Sequence, residues 1–253
     1  MDLNSLRELA LSGCKWELEE TPTNCTNQAA PNKQTDDETK SESKISTKQS
    51  IIPASAPMPI DSAIDIANGI NNTQELMDAI DKFNHPLKQF VKNVVMPHIA
   101  NGELLIITDM PSNEDEENGN ILTNGSGALM DKMLSAIELS RENVSIIPLL
   151  FWRTPGGRTP SRDELDLARP IINRAIQLLK PRAILTLGTL TATEIVNAKL
   201  PREHGEVFNL GDETPVIPIF HPNYLMLKPD AKRDAWNALQ KLQNILKNPT
   251  KPL

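Results

Sequence analysis

Apolar residues fall along this chain in two patterns. In four places they stand next to one another, as in Leu104-Leu105-Ile106-Ile107, Ile146-Ile147, Ala183-Ile184-Leu185 and Val216-Ile217. Continuous runs this short predict strands buried on both faces, over residues 103–108, 144–150, 183–187 and 215–219. Elsewhere the spacing is helical. Leu129, Met130, Met133, Leu134 and Ile137 predict an amphipathic helix over 127–140, with the two methionines as core gap-fillers. Ser161 and Glu164 make a capping-box pair that opens a helix running to 179, which Pro170 should kink or split. Gly188 turns into a helix capped by Thr189 or Thr191. Trp236, Leu239, Leu242 and Leu246 mark a closing helix over 230–246. Strands alternating with helices predict an α/β fold, a three-layer α/β/α sandwich around a mostly parallel four-stranded sheet.

The N-terminal part reads differently. Residues 1–18 hold one short helix through Leu3, Leu6, Leu9 and Ala10. Residues 19–60 are Thr, Ser, Asn, Lys, Glu and Pro with few large apolar side chains, so they are expected to form a disordered linker. Residues 61–83 form a helical lead-in through Ile64, Ile66, Ile70, Leu76, Met77, Ile80 and Phe83. Asn71-Asn72 interrupts it, and Thr73 would cap its second part with Glu75 in the first turn. The main domain is expected over 84–250.

Composition narrows the functional classes. Aromatics make up 4% of 253 residues and prolines number 20, in keeping with a chain that packs only in part. The formal net charge of -7 argues against wholesale electrostatic capture of nucleic acid or an anionic membrane, while leaving room for a local basic groove. Cys14 and Cys25 are the only cysteines, and no CxxC pair exists. A cysteine-built zinc or iron–sulfur site within one chain is therefore not expected. No secretory signal and no membrane-length apolar run is evident, so the expected location is a reducing cytoplasm. GxGxxG and GxxxxGK[ST] are absent, and there is no internal repeat.

Three loops leave the carboxyl ends of the predicted strands, the edge where ligands of open α/β folds sit. The first runs from Thr108 to Gly127 through an acidic stretch. In it Glu114 and Glu117 read as solvated charges, while Asp109 directly follows the strand. The second is Trp152-Arg153-Thr154-Pro155-Gly156-Gly157-Arg158-Thr159-Pro160. The third is Phe220-His221-Pro222-Asn223-Tyr224-Leu225-Met226. Together they place a carboxylate, two guanidiniums and an imidazole on one edge. His85 and His204 read as structural or surface residues, and Trp152 as packing.

These loops resemble the motifs of family 4 uracil-DNA glycosylases. The family's GEAPGxxEDxxGxPFVGxAGxLL puts Asp109 at its Glu, Pro111 at Pro, Asp115 and Glu116 at the acidic pair, Gly119 at Gly, Leu122 at Phe, and Gly127, Leu129 and Met130 at GxLL. Its N-x-x-x-W-R-P-P-G-N-R-T-P places Pro148 at the Asn and the Trp152 loop after it. Ala183 to Gly188 resembles ILxLG, the His221 loop resembles HPxYLL, and Lys232 and Trp236 fit the K-x-x-x-W that follows. The likeness spans residues 83–246 in register.

The resemblance implies an enzyme that flips uracil out of DNA and cuts its N-glycosidic bond in base-excision repair. A monomer with no membrane partner is expected beside it. Asp109 and Asp115 would be the carboxylates near C1′, and His221 the donor to the departing base. Met110, Pro111, Ser112, Leu122 and Pro148 would line the pocket. Arg153, Arg158, Asn223 and Tyr224 would contact DNA. The family commonly binds a 4Fe–4S cluster through four cysteines. Here His85 or its neighbours stand near the first pair, Trp152 at the third place and Ala168 at the fourth, so no metal and no cofactor is expected. Leu122 for Phe and Pro148 for Asn take away a stacking ring and a base-reading amide. A catalytically silent DNA-binding or scaffold relative is the alternative reading, and an unrelated α/β hydrolase using His221 is a remote third.

Overall fold

A computed structural model describes residues 59–211 and 214–248. Two helices come first, α1 (Ile60–Asn68) and α2 (Thr73–Lys82), then a 3-10 turn over Pro86–Phe90. The body follows as β1 (Leu104–Thr108), α3 (Asn113–Asn118), α4 (Asn124–Ser135), β2 (Val144–Pro148), α5 (Arg162–Leu179), β3 (Ala183–Leu187), α6 (Thr189–Val196), β4 (Phe208–Leu210), β5 (Thr214–Ile219), α7 (Pro222–Leu227) and α8 (Lys232–Lys247).

The strands lie in the order β2-β1-β3-β5-β4. All neighbours are parallel except β4, which runs antiparallel to β5. Every residue of β1, β2 and β3 is buried, which is why their sequences are apolar without alternation. The period of two shows instead in which core each side chain joins. Leu105, Ile107, Ile147, Ile184 and Val216 face one side with Phe83, Trp152 and the apolar stripe of α5. Leu104, Ile106, Val144, Ile146, Leu185, Ile217 and Ile219 face the other with α4 and α8. The α/β/α layering expected from the sequence is what forms. Helices α1 and α2 pack on α5, and Arg174 Nε donates to Ile70 O at 2.7 Å to tie the turn between them.

Five details depart from the sequence reading, the first being that α6 opens on Gly188 with no threonine side chain capping it. The sheet has five strands, because Phe208–Leu210 adds a short edge hairpin too brief to show a pattern. The acidic loop contains α3, whose six residues are all polar and which stands on a capping box between Ser112 and Asp115. Pro170 lies inside α5 without ending it, since the helix runs unbroken from Arg162 to Leu179. The cap of α2 is Asn72, whose side chain accepts from Glu75 N at 2.9 Å, with Thr73 already in the helix. The α5 capping box of Ser161 and Glu164 forms as expected. The expectations for residues 1–58 lie outside the described residues.

Candidate active site

β1 ends at Thr108 and is followed by Asp109. β5 ends at Ile219 and is followed by Phe220 and His221. One strand, β3, lies between them, and Gly188 follows its last residue, Leu187. Gly188 has φ +93°, a conformation open to glycine and strained for any other residue. A Cβ there would stand 3.5 Å from His221 Cβ, so the imidazole crosses directly over this glycine toward β1. Its Nε2 reaches Thr108 Oγ1 at 3.2 Å and Asp109 Oδ1 at 3.9 Å. Thr108 Oγ1 lies 3.4 Å from Asp109 Oδ1.

The hydrogen bonds fix the imidazole's tautomer. His221 is the N-cap of α7, and its Nδ1 accepts from Asn223 N at 3.2 Å. The proton therefore sits on Nε2, aimed at Thr108 and Asp109. Burial pushes the His221 pKa below its ordinary value, while the carboxylates of Asp109 and then Asp115 pull the other way. The ring is thus a neutral donor at neutral pH. The side chain of Asp109 is 40% exposed and that of His221 17%, so the acid faces the opening and the donor lies deeper.

The loop after Asp109 is held by Asp115. Its Oδ2 accepts from Ser112 N at 3.0 Å, and its Oδ1 accepts from Thr123 N at 2.7 Å and Thr123 Oγ1 at 2.6 Å. At 4% exposure, with both oxygens taken, Asp115 acts as a latch across the loop. Ser112 is committed to the same latch, its Oγ accepting from Asp115 N at 3.0 Å. Met110 is half-buried and Pro111 buried beside Asp109. Leu122 is 3% exposed and packs in the core shared with α4 and α8. Its φ is +52°, and Arg141 Nη2 donates to its carbonyl at 2.6 Å. Gly127 is required here, because a Cβ would sit 1.9 Å from that carbonyl oxygen. Pro148 is buried and pairs in register with Thr108, so it stands next to the reacting edge without a polar side chain.

The two arginines of the second loop separate. Arg158 forms a forked pair with Glu164, with Nη1 2.9 Å from Oε2, and holds that carboxyl at about 2. Arg153 has no ion-pair partner among the described residues and borders an open cleft. Asn223 and Tyr224 are exposed on α7, as are Met226 and Leu227, the last at 78%. Phe220 links them to the interior, its ring 4.6 Å from Tyr224 and 4.3 Å from His204. Sequence reasoning missed Thr108 and Gly188. A hydroxyl at the buried end of β1, just before Asp109, was the one available signal for the first.

His85 and Trp152, which the resemblance sets near the family's cluster-ligand positions, are packed rings. His85 stacks on Trp152 at 4.5 Å and 8°, and Phe83 on Trp152 at 5.6 Å and 21°. His85 is 1% exposed and its Nε2–H donates to Glu164 O at 3.0 Å. Trp152 Nε1 is buried with no partner, and Ala168 is fully buried. These residues supply no thiolate and leave no cradle, so they do not fit a cysteine-ligated cluster. Among the described residues there is no group of three His, Cys, Asp or Glu side chains placed to hold a metal ion. Nor is any helix among them long and apolar enough to cross a membrane.

The family model of the uracil DNA glycosylase superfamily matches residues 97–242, from just before β1 into α8. The chain is 26% identical over 172 residues to a Type-4 uracil-DNA glycosylase of Archaeoglobus fulgidus, covering 63% of this chain and 86% of that protein. It is 27% identical over 173 residues to one of Pyrobaculum aerophilum, with coverage of 63% and 86%. A third, of Thermotoga maritima, is 25% identical over 126 residues, covering 49% and 66%. With the family matched across more than half of its length, and with His221 brought over Gly188 to Asp109, this chain belongs to the uracil DNA glycosylase superfamily.

Proposed function

We propose that this protein is a uracil-DNA glycosylase that opens base-excision repair by hydrolysing the bond between uracil and deoxyribose in DNA. The nucleotide must leave the duplex first, at a cost of roughly a few kcal/mol recovered in the pocket. The C1′–N1 bond then breaks with its electron pair remaining on uracil, and positive charge grows on the sugar. His221 Nε2–H turns from Thr108 to a carbonyl oxygen of the base and stabilises the anion as a fixed neutral donor. Asp109 stabilises the sugar cation and orients a water. The water oxygen bonds to C1′ and its proton passes to the carboxylate. Thr108 holds both groups until substrate enters.

The observation that carries this reading is the approach of His221 to Asp109 at the carboxyl edge of the sheet, over Gly188. Leu227 and Met226, exposed next to His221, suit a wedge that fills the space left by the flipped base. Asp115 serves the loop rather than the reacting sugar. Arg153 meets phosphate, while Arg158 braces its own loop through Glu164. The enzyme works without an iron–sulfur cluster, the Phe83–His85–Trp152 stack holding the elements a metal would hold, and as a cytoplasmic monomer.

The test is release of uracil from single- and double-stranded oligonucleotides, read as strand breaks after alkali. The wild-type protein should give product from a colourless preparation, and His221→Ala should lower the rate about 10²–10³-fold. Wild-type protein that binds the oligonucleotide and releases no base would instead establish the silent relative. A brown preparation with iron–sulfur absorption would overturn the cluster-free form.

A further inference from the structure

An open cleft of about 430 Å³ lies between α3, the Phe90 segment and the Arg153 loop, and neither Asp109 nor His221 lines it. One wall is α3, which leaves the loop that begins at Asp109. A second wall includes Thr154, whose Oγ1 is 3.5 Å from Sδ of Met110, the residue next to Asp109. The third carries Phe90 and Lys92. The cleft is therefore tied to the loop that begins at Asp109 through α3 and through the Thr154–Met110 contact.

Its lining is unusual in what it leaves uncommitted. Phe90 is 59% exposed, and its ring stacks on no other among the described residues. The Lys92 and Arg153 side chains have no ion-pair partner among the described residues, in contrast to Arg158. The segment bearing Phe90 and Lys92 is nevertheless fixed, because Lys92 N donates to the Glu116 carboxylate and Asn93 Nδ2 to Glu116 O at 3.3 Å. An exposed ring on a pinned segment beside two free cations is the arrangement that grips single-stranded nucleic acid: stacking takes the base, and charge takes the backbone. Glu116 and Glu117 on the α3 wall bring two carboxylates to the same cleft, that of Glu116 against Lys92 N, so Lys92 and Arg153 must outweigh them at the phosphate.

We propose that this cleft is a second nucleotide subsite for the neighbour of the flipped residue on the same strand, with Phe90 stacking its base and Lys92 and Arg153 holding its phosphate. The proposal rests on the glycosylase reading and adds to it Phe90 and Lys92, which grip together with Arg153 without touching the reacting sugar.

The experiment is fluorescence anisotropy of a labelled single-stranded deoxyoligonucleotide containing one uracil, with base release from the same oligonucleotide read in parallel. Phe90→Ala should raise Kd about tenfold, the effect of losing one stacked base, and Phe90→Trp should restore it. Lys92→Gln should flatten the dependence of log K on log salt by about 0.7. Phe90→Ala and Lys92→Gln both binding like wild type, with the salt slope unchanged, would overturn the subsite even if uracil release is robust. Tighter binding that depends on Phe90 and Lys92, with no uracil released by the wild-type protein, would support the subsite and overturn the catalytic reading.

Discussion

Gly188 shows how much of the site depends on one residue that carries no chemistry. Its φ of +93° and the crossing of His221 above it are two demands on one position. The added Cβ of Gly188→Ala would stand at ordinary contact distance from His221, so backbone strain rather than collision sets the cost, about 1–3 kcal/mol. Thermal melting should fall by several degrees, and uracil release should fall further, because the shift falls on the imidazole. Unchanged melting would mean that β3 tolerates a side chain here and that the crossing is looser than described. Neither Gly188 nor Thr108 could be singled out from sequence, where one reads as a turn and the other as the end of a strand. Their importance comes from contacts with a loop more than thirty residues later for the glycine, and more than a hundred for Thr108. His221 and Asp109 were legible for the opposite reason. Each directly follows, or nearly follows, an apolar run whose end faces the ligand edge of an α/β sheet.

Among the elements, the acidic loop is where sequence and structure differ most. Its polar residues gave no periodicity, so α3 was invisible apart from the Ser112–Asp115 spacing. Three donors converge on Asp115 from both ends of the loop. Asp115→Ala would leave them unsatisfied and should cost about 3 kcal/mol in urea unfolding, with faster proteolysis between residues 109 and 124. A carboxylate acting on the sugar would behave otherwise, losing activity with stability intact. The strands were legible because burial on both faces leaves apolar runs in the sequence. β4 was not, since its three residues are only partly buried. The fate of Arg158 was hidden as well: residue type and loop shape suggested phosphate contact, and only the fold brings Glu164 onto it.

Across the whole molecule, three histidines with depressed pKa values make the fold sensitive to acid. His85, His204 and His221 are each lowered by burial. Above their ordinary value of 6.5 they are neutral in both states and pH has no effect through them. Below it the unfolded chain takes up protons that the folded chain resists, so stability falls as pH falls. Each such proton contributes up to about 1.4 kcal/mol per pH unit. Glu164, held at about 2 against an ordinary 4.5, adds stability above 4.5 that is lost as pH falls toward 2. Thermal melting should be flat above neutrality and drop below pH 6.5, with a second loss in strong acid. Melting that stays constant down to about pH 5 would show that the histidines are protonated in the folded state, including the one required to be a neutral donor.

The account rests most heavily on Asp109 and His221 serving one base in one cavity. A double-mutant cycle on uracil release tests this directly, with Asp109→Asn, His221→Gln and the pair measured against wild type under single-turnover conditions. Two groups stabilising one transition state act as a unit, so the double variant should lose far less than the product of the single losses. Single losses that simply multiply, or an Asp109→Asn variant as fast as wild type, would contradict the shared site.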